Sequence, residues 1–300
     1  MQKKKSMNLN KDNIKILLCC HKPSTLPPDP DGIFLPIQVG AAISDADLGM
    51  QRDDQLNGQP CDNISEKNKS YCELTAMYWA WKNIKKLYPD LEYIGLNHYR
   101  RYFSFKRIFP FNSFIFCPEN SCQNYTVDKK KLRRMLAEGF SIVAKHQTSP
   151  YPLFTDYSVH HSREDACILH SVVCETFPEY VDSFDKIMCG NKLSPCNMFI
   201  TSWEKFDSYC TWLFKILKDT ERRIDVSNYT SYQMRCFGFM AERLFNVWLD
   251  RNHIKTKFLN VYVFDDLPHH GLLTYIARYF RNALTTSLLR LSLSYEHTVA

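Results

Sequence analysis

The sequence contains few glycines and lacks the glycine-rich motifs that bind phosphate in many nucleotide-dependent proteins. Only 9 of its 300 residues are glycine, and neither GxGxxG nor GxxxxGK[ST] occurs. These motifs mark the Rossmann dinucleotide site and the P-loop, so both kinds of site are disfavoured. No fingerprint of a nucleic-acid-binding domain is present either, so nucleic acid is not an expected partner.

Signals for disulfides, zinc sites and membrane spans are also absent. The 12 cysteines are scattered without a CxxC pair, which predicts reduced cysteines in a cytoplasmic protein. The basic N-terminus is not followed by the apolar segment of a cleaved signal peptide. No window reaches the roughly 18 consecutive apolar residues that a membrane-spanning helix needs.

Core-forming residues are abundant. Hydrophobic residues make up 45% of the chain and aromatic residues 14%, which is ample for a sizeable core. We expect one domain over residues 14–267, a disordered basic N-terminus over residues 1–13 and a separate tail over residues 268–300. The net charge of +6 is modest and suits an anionic substrate or a lipid surface.

The most informative stretch is an apolar segment that runs directly into cationic and aromatic residues. Residues 93–96 are typical of a short buried strand, and the NHYRR sequence of residues 97–101 follows at once. In open α/β sheets, ligands bind beyond the carboxyl ends of the strands. Adjacent arginines at such a place predict a phosphate or pyrophosphate site. The alternative is that the arginines form surface ion pairs.

The rest of the chain alternates between strand and helix patterns, which predicts an α/β fold with a mostly parallel central sheet flanked by helices. Other strands are expected at residues 14–20, 140–144, 197–200 and 261–264, and helices at residues 71–88, from Thr126 or Asp128 to Glu138, after a capping box of Thr201 and Glu204, and at residues 229–250.

Two helical patterns carry polar side chains at regular spacing. Tyr157, His161 and Asp165 are four residues apart, so they are expected on one helix face, either as a satisfied polar surface or as a site. Arg235 and Glu242 share another face, where Gly238 leaves room for a ligand. The alternative for that second face is an exposed, ion-paired surface with a packing glycine.

Residues 272–293 in the tail form a basic amphipathic pattern. Arg278, Arg281 and Arg290 are the only charged residues in this range. A helix of this kind can lie in a membrane interface, and it can equally dock onto the domain or onto a partner. Membrane contact would make the protein peripheral on the inner face of the cell membrane.

Taken together, the motifs resemble those of bacterial capsular and exopolysaccharide biosynthesis glycosyltransferases long catalogued as a domain of unknown function. Some members of that family transfer galactofuranose or galactose. The matching segments run in order from about residue 14 to residue 250. They include HKP at 21–23, PIQVGAA at 36–42, DNIS at 62–65, ELT at 73–75, YWAWKN at 78–83, GLNHYRRY at 95–102, NMF at 197–199 and the 232–244 region.

The resemblance implies a GT-A-like nucleotide-sugar-binding domain. That fold normally carries an Asp-x-Asp metal site after a central strand, whereas this chain has the NHYRR sequence there. The resemblance therefore implies that cationic side chains balance the pyrophosphate and that no metal is required. The alternative is that Asp62 and Asp165 hold Mn or Mg.

The implied function is transfer of a sugar from a UDP-sugar donor to a lipid-linked or growing polysaccharide acceptor in capsule, exopolysaccharide or O-antigen synthesis. The rival interpretation is a non-catalytic glycan- or nucleotide-binding subunit of a polysaccharide assembly complex. The predicted donor-binding residues are His21, Lys22, Gln38, Asp62, Asn63, Asn97, Arg100 and Arg101; the catalytic residues are Glu242 or Asp165 as base and His98 beside the diphosphate; the acceptor- or sugar-binding residues are Trp79, Trp81, Tyr157, His161, Asn197 and Arg235.

Overall fold

The computed structural model describes residues 13–106 and 113–266, together with the single helical residues 280 and 284. The strands within these residues are β1 Ile14–Cys20, β2 Phe34–Gln38, β3 Gln51–Arg52, β4 Gln55–Leu56, β5 Gln59–Pro60, β6 Tyr93–His98, β7 Arg101–Phe103, β8 Phe114–Cys117, β9 Ser141–Ala144, β10 Gln147–Thr148, β11 Lys192–Leu193, β12 Phe199–Ser202, β13 Thr256–Leu259 and β14 Val261–Phe264. The α-helices are α1 Asn68–Tyr71, α2 Leu74–Leu87, α3 Lys129–Ala137, α4 Leu153–His160, α5 Arg163–Thr176, α6 Val181–Cys189, α7 Trp203–Glu221 and α8 Cys236–Arg251.

A central, mostly parallel sheet organises these elements, which confirms the predicted α/β class. Its strands run in the order β13-β9-β12-β6-β1-β2-β3, and β7, β14 and β8 extend it from β6. β1 is parallel to both of its neighbours, β2 and β6. β12 is inserted antiparallel between β6 and β9. The carboxyl ends of β1 and β6 therefore lie side by side.

Both faces of the sheet are covered, as a continuous apolar strand requires. All seven residues of β1 are buried, and their side chains alternate between two cores. Leu17 and Cys19 belong to the larger core, which packs against α2, α5, α7 and α8. Ile16 and Leu18 belong to the smaller core, which contains aromatic residues of β7 and β14 and the apolar side of α3.

Gly95 allows the central strands to approach closely. A Cβ atom at this position would lie 2.9 Å from the Ile200 side chain and 2.9 Å from the Phe199 carbonyl oxygen. Neither contact is tolerable for a real side chain, and the backbone oxygen cannot move aside. The glycine in the NHYRR strand is therefore needed for β12 to pair with β6.

Several helix boundaries differ from the sequence predictions. α2 begins at Leu74 rather than at residue 71, and α8 begins at Cys236 rather than at residue 229, after a short 3-10 turn. The Thr201 and Glu204 capping box is wrong, because the Thr201 hydroxyl is hydrogen-bonded to Ser141 and the helix follows Ser202 without a side-chain cap. Local sequence propensity does not predict these tertiary contacts.

The predicted single helix face of Tyr157, His161 and Asp165 is also wrong. α4 ends at His160, and His161 has φ −129° and ψ −123°, so it breaks the helix. Ser162 then caps α5 by accepting a hydrogen bond from the Glu164 N–H. Elsewhere, Asp128 rather than Thr126 caps α3, because its carboxylate accepts from the Lys131 N–H.

The two terminal predictions fall largely outside the described residues. The basic N-terminus lies outside them up to residue 12, and so does the tail from residue 267 onward except for Phe280 and Leu284. Both of these residues are helical and well exposed. Within the described part of the chain, each helix is too short or too polar to cross a membrane.

Candidate functional site

Positive side chains from two strand ends meet around one tyrosine ring. The His21 ring packs edge-on against the Tyr99 ring with centroids 5.2 Å apart. Lys22 Nζ lies 5.7 Å from the centre of the Tyr99 ring, and Arg100 Cζ lies 5.5 Å from it. Desolvation lowers the pKa of His21, and the charges of Lys22, Arg100 and Arg235 lower it further. We call Lys22, Arg100 and Arg235, together with His21 and Tyr99, the cation cluster; the lowered pKa leaves His21 neutral at neutral pH, so the other three side chains carry the positive charge.

The two adjacent arginines have different surroundings. Arg100 Nη1 donates to Asp265 Oδ2 at 2.5 Å, so part of its charge is balanced within the protein. Arg101 begins β7 directly opposite His98 and is half-buried. Among the described residues, the Arg101 guanidinium forms neither a hydrogen bond nor an ion pair. Arg101 is therefore better placed than Arg100 to bind an anion.

Glu242 lies on α8 near this arginine. Its Oε1 accepts a hydrogen bond from the Cys196 N–H at 2.8 Å. Desolvation raises the pKa of Glu242 from 4.5 to about 7, and the nearby carboxylate of Glu73 adds to the rise, whereas the charges of Arg243 and Arg101 oppose it. A carboxyl group with a pKa near neutrality is suited to general acid–base chemistry.

His98 contacts the same residue, Cys196, through its carbonyl group. Its Nε2 donates to the Cys196 carbonyl oxygen at 2.9 Å, so the proton of the neutral ring is on Nε2. Desolvation lowers the pKa of His98, Arg101 and Arg100 lower it further, and Glu73 opposes the change. His98 is therefore neutral at neutral pH, and the positive charge beside it comes from the arginines.

Two asparagines predicted for the site are fully enclosed. Asn197 donates from Nδ2 to Glu73 Oε1 at 2.7 Å and to the Gly238 carbonyl at 3.2 Å. Asn97 is 1% exposed, and its side-chain oxygen has no hydrogen-bond partner among the described residues. No role was predicted for Glu73 from the sequence, although Glu73 belongs to the ELT segment that matches the family.

A second polar cluster borders α8. The His161 ring stacks between Tyr157, 4.9 Å away, and Tyr232, 5.3 Å away. Arg243 Cζ lies 5.1 Å from the centre of the Tyr157 ring. The Gln233 backbone interacts with the His161 ring and favours its protonated form, although neither ring nitrogen makes a well-formed hydrogen bond in the described part of the chain. Desolvation, reinforced by Arg243, lowers the pKa of His161 to about 4, so this ring is neutral.

Asp165 lies at the edge of this second cluster. Its Oδ1 accepts a hydrogen bond from the Tyr229 hydroxyl at 2.5 Å, and desolvation raises its pKa. Asp165 is 2% exposed. Tyr157, His161 and Asp165 thus remain neighbours despite the helix break, but Asp165 is enclosed, which makes it a poorer candidate for the base than Glu242.

Three predicted donor-binding residues have structural partners instead. Gln38 is buried, and its amide both donates to and accepts from the backbone of the 44–48 loop. Asp62 accepts from the Tyr78 hydroxyl on α2, and Asn63 donates to nearby backbone carbonyls. These contacts fix the long loop that follows β2, and none of them involves the cation cluster.

Trp79 and Trp81 point in different directions on their helix, so one is expected in the core and the other could line a sugar site, but both belong to internal packing. Trp79 is 0% exposed, and its indole donates to the Gln55 carbonyl. It has no surface left for a sugar, so that prediction is wrong. Trp81 is half-buried, stacks on Phe214 and donates to Asp207 of α7. The period of the helix places it against α7 rather than beside the cation cluster.

The possible metal ligands do not converge. Asp62 and Asp165 hydrogen-bond to different tyrosines on different elements, Tyr78 on α2 and Tyr229 after α7. In residues 13–106 and 113–266, no three His, Cys, Asp or Glu side chains are grouped so that they could hold a metal ion. The metal requirement of the reaction stays a prediction.

Comparison with known proteins gives two matches for this architecture. The model of a family described as a domain of unknown function, DUF4422, matches residues 15–253. The structure is similar to the apo structure of the bifunctional glycosyltransferase WbbM, with a TM-score of 0.71 and 27% sequence identity. The match covers 85% of this chain and 46% of WbbM, so the chain spans about half the length of that protein. No curated protein sequence matches significantly.

Proposed function

This chain belongs to the DUF4422 family, and we propose that it is a glycosyltransferase acting in polysaccharide synthesis. We propose further that it moves galactofuranose or galactose from a UDP-sugar to a lipid-linked or growing glycan of a capsule, exopolysaccharide or O-antigen. The observation that carries the proposal is that the Cys196 backbone contacts both Glu242, whose pKa is about 7, and His98, which pairs with Arg101 on the next strand. An anion-binding cation and a group suited to act as base therefore share one site. The likeness to a glycosyltransferase over 85% of this chain supports it.

The cation cluster and Arg101 would bind the diphosphate of the donor. When the bond between the anomeric carbon and the diphosphate oxygen breaks, negative charge develops on the leaving group. Fixed positive side chains stabilise that charge without reorganisation, as a divalent ion does in other enzymes. Arg235 is predicted to bind the acceptor. Its charge lowers the pKa of His21, as the charges of Lys22 and Arg100 do, so we assign Arg235 to the diphosphate instead.

Glu242 would act as the general base. Its Oε1 is held by the Cys196 N–H, which leaves Oε2 for the acceptor hydroxyl group. The hydroxyl oxygen attacks the anomeric carbon, its proton passes to Glu242, and the electron pair of the broken bond leaves with the diphosphate. This is a single displacement with inversion. Because the pKa of Glu242 is about 7, a large fraction of the carboxylate is ionised at neutral pH.

The second polar cluster is the proposed place for the acceptor sugar. Tyr232 is 47% exposed and stacks on His161, so an aromatic surface faces solvent beside α8. Aromatic rings and polar side chains with free hydrogen-bonding capacity are the usual components of a ligand pocket. Tyr157 and His161 are buried beneath this ring, so we propose that they hold Tyr232 in place and that Tyr232 itself contacts the sugar.

We propose that transfer requires no metal and takes place at the cytoplasmic membrane surface. The first part follows from the positive side chains that surround the proposed diphosphate site. The second part rests on the tail pattern of residues 272–293. The exposed apolar side chains of the helical residues Phe280 and Leu284 support it.

The test is an assay of purified protein with a panel of radiolabelled UDP-sugars, each with and without EDTA and with and without a lipid-linked glycan acceptor. An enzyme should release UDP at least slowly by hydrolysis and faster by transfer, and Glu242→Gln should lose this activity while retaining donor binding. Binding of a UDP-sugar without any turnover would instead identify a non-catalytic subunit. Loss of turnover in EDTA, restored by manganese, would refute the metal-independent mechanism.

A further inference from the structure

The segment that enters β12 has an unusual backbone. Cys196 has φ 70° and Asn197 has φ 49°, so two consecutive non-glycine residues adopt the left-handed conformation. Asparagine tolerates this region, but cysteine seldom occupies it. Strained residues of this kind persist only where surrounding contacts hold them.

One face of α8 supplies many of those contacts. Asn246 and the Ser194 backbone exchange two hydrogen bonds, of 3.0 and 3.1 Å. One helical turn earlier, Glu242 accepts from the Cys196 N–H, and one turn earlier again the Gly238 carbonyl accepts from Asn197. The spacing of four residues aligns these three positions along the helix. This face of α8 therefore holds the 194–197 segment by hydrogen bonds and is not an exposed, ion-paired surface.

Gly238 serves this packing rather than a ligand. A Cβ atom at position 238 would lie 3.2 Å from Cys72 Sγ and 3.3 Å from Cys72 Cβ. Because Gly238 has no side chain, the junction between α1 and α2 can pack closely against α8. Cys72, in that junction, has φ 52°. Glu73 follows immediately and reaches Asn197. The prediction that Gly238 makes room for a ligand is wrong.

The strained turn joins the proposed catalytic groups. The Cys196 N–H holds Glu242, and the Cys196 carbonyl holds His98. The next residue, Asn197, donates a hydrogen bond from Nδ2 to Glu73 Oε1 at 2.7 Å. Releasing Asn197 would let the turn relax, and a relaxed Cys196 peptide would no longer hold Glu242 and His98 in their present orientation.

We infer that Glu73 and Asn197 are positioning residues: their hydrogen bond holds the left-handed turn at Cys196, and the turn sets the orientation of the Glu242 carboxylate. The inference rests on the proposed function for its kinetic consequence. The side-chain oxygen of Asn197 has no partner among the described residues, so the amide contributes through its two donated hydrogen bonds. Glu73 also acts on Glu242 through its negative charge.

The first experiment compares Asn197→Gly with a matched control, Asn57→Gly. Glycine adopts positive φ freely, so Asn197→Gly should fold but lose both hydrogen bonds. Because a misplacement of about 1 Å can cost on the order of 100-fold in rate, kcat should fall by about 10- to 100-fold. The donor KM should change little, since the cation cluster is untouched. Asn57 has φ 52° in an exposed turn, and Asn57→Gly should keep the kcat of the unmodified protein.

The second experiment separates position from charge at Glu73. Glu73→Gln keeps an oxygen that can accept from Asn197, so its kcat should stay within about threefold, given the modest Brønsted effect of a changed pKa on Glu242. Glu73→Ala should lose activity as Asn197→Gly does. In both Glu73 variants the acid limb of kcat should move to lower pH, because the charge that raises the pKa of Glu242 is gone.

The outcomes distinguish this inference from the proposed function. Transfer by the unmodified protein together with full kcat in Asn197→Gly would overturn the inference alone, as would a Glu73→Gln variant as inactive as Glu73→Ala. If the unmodified protein transfers no sugar, a crystal structure of Asn197→Gly still tests the positioning role. The Cys196 to Glu242 hydrogen bond should then be broken, and its persistence at 2.8 Å would overturn the inference.

Discussion

Replacing Glu242 with glutamine should make the protein more stable at high pH while abolishing its activity. In the folded protein the pKa of Glu242 is raised from 4.5 to about 7. Below pH 4.5 the carboxyl group is protonated in both the folded and the unfolded state, so it contributes no pH dependence. As the pH rises toward 7, the unfolded state releases the proton first, and the folded state loses stability. Above pH 7 the loss is complete.

The size of this effect follows from the shift. Each pKa unit corresponds to about 1.4 kcal/mol, which gives an upper limit of about 3 kcal/mol at pH 8. Glu242 is half-buried, so solvent screening reduces the expected gain to about 1–2 kcal/mol. Glutamine still offers an oxygen to the Cys196 N–H, so the variant should avoid the ionisation cost without losing that hydrogen bond. For a protein of this size, such a gain raises Tm by about 2–8 °C.

Thermal unfolding measured by circular dichroism from pH 4.5 to pH 8 tests this reasoning. The difference in Tm between Glu242→Gln and the unmodified protein should be close to zero at pH 4.5 and should grow up to pH 7. Glu175→Gln is the control, because Arg223 lowers the pKa of this exposed carboxyl, so its removal should give no gain at high pH. A Tm difference for Glu242→Gln that is independent of pH would refute the assignment of a raised pKa.

Three other substitutions distinguish residues proposed to bind the donor or the acceptor from a residue that only stabilises the fold. Arg101→Ala should weaken binding of UDP-sugars and lower kcat by on the order of 100-fold, since a fixed charge at the leaving group is lost. The control is Arg134→Ala, a change on the exposed surface. Equal UDP-dependent thermal shifts in the two variants would contradict the role of Arg101. Trp79→Phe removes the indole bond to the Gln55 carbonyl and should cost about 1–2 kcal/mol of unfolding free energy measured in urea, without changing the acceptor KM. Tyr232→Ala should do the reverse, raising the acceptor KM with little change in stability, and an unchanged KM would remove Tyr232 from the acceptor site.

Local sequence patterns predicted the parts of the fold that local physics controls. The buried run of β1, the strand before the NHYRR sequence and the Asp128 cap of α3 are present as expected. Each depends on residues within a few positions of one another. The cations at the ends of β1 and β6 could also be foreseen, because neighbouring parallel strands end at the same edge of a sheet.

Contacts between distant residues explain what the sequence did not predict. Glu73 and Asn197 are 124 residues apart, and nothing near either residue indicates that they pair. The break at His161 occurs in a stretch with helical spacing, where the stacking of its ring against Tyr232 is a tertiary contact. The ligand roles expected for Trp79 and Gln38 follow from the resemblance, whereas burial commits both side chains to internal hydrogen bonds.

The direction of β12 is what brings the proposed base to the cations. Because β12 runs antiparallel to β6, with Phe199 opposite Leu96, the segment before β12 lies at the edge where β6 ends. A parallel β12 would place its carboxyl end there instead, and Cys196 would lie at the far edge of the sheet. Only the antiparallel arrangement lets the backbone of one residue, Cys196, contact both His98 on β6 and Glu242 on α8. The reversed direction of β12 therefore accounts for how residues from separate halves of the chain form one site.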